Sequence, residues 1–285
     1  MPPRESPTAR QVRLGTELRR LRERAGRTAR EAAAMLGTDQ GKISHIESGR
    51  IGVSEERIRR LTDFYACRDE ELVEALCAIA REHRGQFWWD EYRGILAPLW
   101  MDMCELEHHA VSMRIFHTVS VPGLLQTEEY ARALFTGALV ELPPEEVELR
   151  TRHRMRRKVV LEREHPPPFD VFLHEAALRM RIGGRQVMRR QLARLMADAE
   201  QPNITLRVVP FTNENYFEAI QPVLYADGVV PQLDTVQVDA ATGGGSFIDS
   251  EAQLERYRLF FGRCGKFSLD PGESRQLIHH IAREL

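Results

Sequence analysis

Apolar residues fall at helical spacing along the N-terminal third of the chain. Leu14, Leu18 and Leu21 lie at i, i+4 and i+7 and predict a helix over 11–24. Thr28 followed three residues later by Glu31 has the form of a capping box, and Ala32, Ala33 and Leu36 give the helix it opens a small apolar face. Gly37 suits a sharp turn, because glycine tolerates a positive φ that other residues resist. Thr38 can cap a second short helix in which Ile43 and Ile46 point inward, and Asp39 can bolster that cap. Gln40, Gly41, Lys42, Ser44 and His45 lie between the inward positions and are small, polar or basic. Two short helices pinned around a glycine, the second with a hydrogen-bonding outer face, predict a helix-turn-helix suited to the DNA major groove.

The pattern continues helical through Ser54, a cap followed by Glu55 and Glu56, with Ile58, Leu61 and Tyr65 inward. A fifth helix is expected over 69–83, with Leu72, Leu76, Ile79 and Ala80 inward. Residues 85–103 form a distinct stretch that holds Trp88, Trp89 and Trp100 together with Phe87 and Tyr92. Val111, Ile115, Phe116 and Val119 suggest a strand or buried segment within 105–120. Thr127 caps a further helix, and Pro143-Pro144 start another that is expected to run to Glu164. After Pro166-Pro167-Pro168 the pattern turns mixed. Strands are expected at 169–173, 204–208, 223–226 and 235–238, the last two joined by a turn at Asp227-Gly228. Helices are expected at 175–180, 186–199, 251–261 and 271–284.

The fold class that follows is multidomain: an all-α, five-helix N-terminal domain and a mixed α/β C-terminal domain. The expected divisions are a flexible tail at 1–9, a helix-turn-helix domain at 10–84, a helical and aromatic connecting region at 85–165, and an α/β regulatory domain at 166–285.

Composition adds one point. Of 285 residues, 42% are hydrophobic and 29% charged, which describes an ordinary globular chain. The net charge of −2 hides an asymmetry, because residues 1–60 hold 14 Lys+Arg against 8 Asp+Glu and the remainder 26 against 34. A basic N-terminus on an acidic body fits one domain facing phosphates and another facing something else. The Arg13, Arg19, Arg20, Arg22, Arg24 and Arg27 run fits either a solvated helix face or a hold on the phosphate backbone. Cys67, Cys77, Cys104 and Cys264 have no CxxC spacing and read as reduced thiols. No apolar signal core or membrane-length run is present in the sequence, so a cytoplasmic protein is expected.

The N-terminal residues resemble the phage-repressor-like helix-turn-helix family, also called the Cro/C1 or xenobiotic-response-element (XRE) family, with a lambda-repressor-like fold. LRRLRERAG at 18–26, Ala33 with Leu36-Gly37, KIS at 42–44 and IESGR at 46–50 carry the resemblance. It implies that Glu47 packs structurally and that Gly49 ends the recognition helix. Gly41 departs from the family, where Ser or Gln is more usual, and Asp39 puts a negative charge near phosphates. PGLLQTEEYARALF, HEAALRMRIGGRQVMRRQLARL, NITLRVVPF and ESRQLI are similar to a domain of unknown function that accompanies the same helix-turn-helix in many actinobacterial regulators. Genes of that family often lie beside those of small partner proteins, and an antitoxin-like label has been attached to it. The resemblance implies regulation or partner binding for the C-terminal domain.

These readings predict a sequence-specific regulator that binds an operator in double-stranded DNA, as a homodimer, since one short helix reads few base pairs. Gln40 is the first candidate for base contact, through a bidentate amide–adenine pair, followed by Lys42, Ser44 and His45. Asp39 can accept from cytosine or orient an Arg, and Gly41 lies among these contacts. Arg27, Thr28, Thr38 and Arg50 are the candidates for phosphate contact. Trp88, Trp89, Tyr92 and Trp100 either seal a domain junction or dimer contact, or line a small-molecule pocket. A small protein encoded nearby is a further candidate partner, in which case the protein is chiefly an antitoxin-like binding module.

Enzymatic chemistry finds no motif. His174-Glu175 lacks the second histidine a zinc protease needs, since Leu178 stands there. The adjacent pairs His108-His109 and His279-His280 splay on a helix. Gly243-Gly244-Gly245-Ser246 has no Lys for a phosphate loop and reads as a flexible loop. No catalytic residue, metal or cofactor is expected.

Overall fold

The computed structural model describes residues 7–82, 85, 87–215, 221–240 and 244–285. The chain packs as two compact units. One comprises residues 1–109 with 228–234, the other residues 110–227 with 235–285.

The first unit is helical: α1 (Ala9–Arg24), α2 (Ala29–Leu36), α3 (Gln40–Glu47), α4 (Glu55–Phe64) and α5 (Glu70–Arg81), then a 3-10 turn at Trp88–Tyr92 and α6 (Pro98–His109). All five N-terminal helices open on a short polar side chain that accepts an amide hydrogen bond, which is why they begin sharply. Thr28, Asp39, Ser54 and Asp69 do this for α2 to α5, and Thr8 does it for α1. Residues 1–6 of the expected tail, and His83 at the expected end of the fifth helix, lie outside the described residues. Leu18, Ile43, Ile58, Leu61 and Leu76 fill the centre of the bundle.

Val230 and Leu233 belong to the same core. The segment that carries them is seated by polar contacts. The Arg13 guanidinium donates to the Gln232 carbonyl, and Gln232 Nε2 donates to Asp69 Oδ2 at 2.7 Å. The other Asp69 oxygen caps α5 through the Leu72 amide at 3.0 Å. Gly228 is needed where the segment closes on itself, because a Cβ there would lie 2.8 Å from the Leu233 backbone carbon. The expected turn at Asp227-Gly228 is therefore a seven-residue excursion that includes a 3-10 turn at Pro231–Leu233. Its reason is burial: Val230 and Leu233 are apolar and find their core in the helical unit.

In the second unit, β1 (Ser112–His117), β2 (Phe169–His174), β3 (Ile204–Val209), β4 (Val223–Asp227), β5 (Thr235–Asp239) and β6 (Gly245–Ile248) form one sheet in the order β3-β2-β1-β4-β5-β6. β1, β2 and β3 run parallel, with Ile115 opposite Val171 and Val171 opposite Leu206. β4, β5 and β6 are antiparallel to their neighbours. Parallel neighbours need crossovers long enough to return to the same end. These are α7 (Glu128–Thr136), α8 (Pro144–Arg156) and α9 (Val159–Glu162) between β1 and β2, and α10 (Glu175–Arg179) and α11 (Arg185–Asp198) between β2 and β3. Helices α12 (Glu251–Phe267) and α13 (Pro271–Glu284) close the unit. Phe116, Phe172, Tyr225, Val236, Phe261 and Cys264 form a core between the sheet and α12. The outer edge of β3 is covered, because the Leu269 amide donates to the Val208 carbonyl and Ser274 Oγ accepts from the Val208 amide.

Four local expectations change. Residues 105–109 end α6, and the strand begins only at Ser112; Val111 and Val119 are exposed. The helix expected to reach Glu164 stops at Arg156, where i→i+3 hydrogen bonds from Lys158 and Val160 tighten the chain before α9. Gly245 and Ser246, read as loop, form an edge strand, because pairing with Asp239 and Val238 overrides their poor strand propensity. Gly243 lies outside the described residues. Helix α12 continues past Phe261 to Phe267. No helix among the described residues is long and apolar enough to cross a membrane.

Candidate nucleic-acid interface

Helix α2 begins as its sequence dictates. The Thr28 hydroxyl accepts from the Glu31 amide, and the Glu31 carboxylate accepts from the Thr28 amide at 2.7 Å. It ends at Gly37, whose φ of +64° lets the Gly37 and Thr38 amides turn back onto the carbonyls of Ala34 and Ala33. The next cap is Asp39, one residue later than Thr38: its Oδ1 accepts from the Lys42 amide at 2.9 Å. The turn after Gly37 places residue 39 in the extended conformation a cap requires, and Thr38 is left within the turn. Gly41 follows from that choice. A Cβ at residue 41 would lie 3.0 Å from the capping oxygen, so the missing side chain leaves the cap uncrowded.

Ile43 and Ile46 anchor α3 in the bundle, while Gln40, Gly41 and Ser44 are exposed and Lys42 and His45 half-buried. The Ser44 hydroxyl donates to the Gln40 carbonyl, which leaves its oxygen able to accept. Contact with α1 sets the height of α3. A Cβ on Gly15 would stand 2.5 Å from the Ile46 and Glu47 carbonyl oxygens, and one on Gly49 within 2.9 Å of the Gln11 backbone. Both positions must be glycine for the two backbones to approach this closely, and Gly49 also has a φ of +73°. Glu47 fixes the same crossing by accepting two bonds from Arg22, Nε at 2.6 Å and Nη2 at 3.0 Å. That hydrogen bond to Glu47 raises the pKa of the Arg22 guanidinium.

An open, polar groove runs beside α3, lined by Asp39, Gly41, Lys42, His45, Ile51, Gly52 and Arg57. Arg57 lies in the first turn of α4, where its amide bonds the Ser54 cap. It was not a sequence-derived candidate; only its place three residues after a cap, beside the recognition helix, signals it. Among the candidates, Asp39, Gly41, Lys42 and His45 come together in this groove, with Gln40 and Ser44 exposed on the same helix. Arg50 is exposed just beyond Gly49. Arg27 and Thr28 stand at the start of α2, where Arg27 lies 3.6 Å from Glu31 and 4.7 Å over the Phe64 ring.

The arginine run on α1 is largely paired. Arg19 bonds Glu23 at 2.7 Å, Arg20 and Arg13 meet Glu17, and Arg22 holds Glu47. Of the aromatic candidates, Trp88, Trp89 and Tyr92 come together in the 3-10 turn of the first unit. Trp89 is buried, stacked on Phe87 at 4.5 Å and edge-on to His108 at 5.2 Å. Trp100 sits half-buried on α6. No group of three or more metal-ligating side chains gathers among the described residues.

Two short helices about a left-handed glycine, with a polar face turned outward, define a helix-turn-helix protein, and the helix-turn-helix domain family matches residues 13–76. The larger match is to the domain of unknown function DUF5753 over residues 100–280, and the chain belongs to that family. No curated protein and no solved structure matches it.

Proposed function

We propose that this protein is a sequence-specific transcriptional regulator of the Cro/C1 (XRE) type, and that α3 enters the major groove of an operator. The observation that carries this reading is the outward face of α3. Lys42 and His45 share an open groove with Arg57, and Gln40 and Ser44 remain exposed beside it. Gln40 pairs with a base edge, and Lys42, Ser44 and His45 contact bases or phosphates. Asp39 keeps its second oxygen for a cytosine amine or a neighbouring cation. Gly41 lets the helix start approach closely. Arg27, Thr28, Thr38 and Arg50 hold the backbone and set register without reading sequence. The helical segment 10–84 is the DNA-contacting module, and the C-terminal domain brings two copies onto half-sites about one helical turn apart and receives the signal.

The test is binding of the full chain to its own promoter. The triple substitution Gln40/Lys42/His45→Ala is expected to abolish the preference for that promoter over random duplex; unchanged binding would sink the assignment. Arg50→Ala is expected to weaken all sequences alike and to reduce the salt slope by about 1.

A further inference from the structure

Residues 228–234 read GVVPQLD, an apolar stretch with a proline, placed between two antiparallel strands. β4 and β5 stay paired as far as Ala226 and Thr235, and antiparallel neighbours can be joined by a turn of two residues. The extra length is spent on burial. Val230 and Leu233 are buried in the same apolar core as Ile43 and Ile46 of α3. The segment also holds its own shape. The Leu233 amide donates to the Val230 carbonyl at 2.9 Å, and the Gly228 amide donates to Asp234 Oδ1 at 3.0 Å. It is a formed knob with two apolar side chains on one side.

Gln232 ties two helices together through this knob. Its carbonyl accepts from the Arg13 guanidinium of α1, and its Nε2 donates to Asp69, the residue that caps α5. Arg13 Nη1 lies 3.0 Å from Glu17 Oε1, and both side chains are buried. The cation is thus held between its own helix and the 228–234 segment. A buried charge satisfied from two sides moves only when its partners move with it.

The residues on either side of Arg13 are the ones that meet α3. A Cβ on Gly15 would stand 2.5 Å from the Ile46 and Glu47 carbonyl oxygens, and one on Gly49 would stand 2.8 Å from the Val12 nitrogen. Two backbones in contact with no side chain between them cannot shift independently, because close-packed interiors transmit strain. A displacement of the first turns of α1 is therefore carried to the end of α3. Each link from Gln232 to Arg13, along α1 and on to α3 is a direct contact.

We propose that Gly228, Gln232 and Leu233 are positioning residues for the recognition helix: the segment they form sets the seat of α1, against which α3 rests. They act through Arg13 and the α1 backbone. Only the last step, the effect on DNA binding, rests on the DNA reading, since the seating of α3 can be measured without DNA.

The test uses the full chain at a temperature where melting curves show each variant folded, so that a merely structural role leaves affinity unchanged. Its readouts are amide exchange and binding to the protein's own promoter. Leu233→Ala removes apolar bulk from the segment, Gln232→Ala removes the bond to Asp69, and Gly228→Ala drives a methyl group against the Leu233 backbone. Leu233→Ala and Gly228→Ala are each expected to speed exchange across 11–15 and 43–49 about tenfold and to weaken promoter binding about tenfold, and Gln232→Ala to do both about threefold. Base preference and salt slope are expected to stay as in the wild type, because no group that contacts DNA is removed. Leu233→Met, of similar volume, is expected to restore both readouts. Exchange across α1 and α3 as slow as in the wild type overturns the proposal, as does faster exchange with promoter affinity unchanged. If the wild-type protein shows no preference for its promoter, the DNA reading falls, and exchange alone decides whether the segment seats α3. If Leu233→Ala and Gly228→Ala do not fold, Gln232→Ala, which leaves the apolar core intact, decides it.

Discussion

Each unit buries a titratable side chain, an acid in the helical unit and an imidazole in the sheet-containing unit. In the first, Glu105 on α6 is buried near Asp102, and burial pushes its carboxyl up to about 7. The Arg22 guanidinium of that unit is matched by Glu47. In the second, His153 on α8 is buried, and burial first, then Arg157 and Arg154, push its imidazole down to about 3. Burial disfavours the charged form in both, and the two units therefore answer a change of pH in opposite senses.

The comparison breaks most sharply at Glu47. Glu47→Ala strips the two-pronged carboxylate from Arg22, whose side chain is 11% exposed, and leaves it only Glu23 at 3.7 Å and the Arg27 carbonyl. The expected loss is about 3–5 kcal/mol from the first unit. Thermal unfolding should then separate into two transitions, with the second unit's unchanged; a single unshifted transition would show that the pairing contributes nothing.

Acidity sharpens the contrast next. Glu105 has a folded pKa raised from 4.5 to about 7, so its stabilising contribution is present at low pH and is lost as pH rises from about 4.5 to 7, on the order of 3 kcal/mol. His153 has a folded pKa depressed from 6.5 to about 3, so the second unit is most stable above pH 6.5 and weakens as pH falls toward 3. Amide exchange resolved by segment, at pH 5 and pH 8, should show α6 better protected at the lower pH and α8 at the higher. Glu105→Gln should remove the first dependence only. Parallel behaviour of the two helices would contradict the opposition.

The smallest effect concerns the recognition helix. Asp39→Ala removes the amide acceptor at the start of α3 and should cost about 1 kcal/mol, while Thr38→Ala should cost less. Equal losses, read by chemical denaturation of the full chain, would return the cap to Thr38.

What could be read from the chain was what is decided within one or two turns. The Thr28–Glu31 box, the left-handed Gly37, the inward Ile43 and Ile46 and the Ser54 cap all depend on neighbours a few residues away, and their patterns are explicit. The shift of the cap from Thr38 to Asp39 depends on how the chain leaves Gly37, a matter of one dihedral pair that residue types leave open. Gly15 looks like a flaw in an amphipathic helix until the α3 carbonyls are seen against it. The edge strand at Gly245 exists because β5 offers it partners. The groove residue Arg57 carries no local signature, since arginines on a helix face read alike whether they line a groove or pair with a carboxylate.

The segment from Gly228 to Asp234 gives the helical unit an unusual birth order. Its helices leave the ribosome first, but Val230 and Leu233, which complete their core, are made only after residues 110–227, and with them β1 to β4, have been synthesised. The nascent helices must wait with part of their apolar face open, and no stop codon placed between residues 109 and 228 yields a finished helical unit.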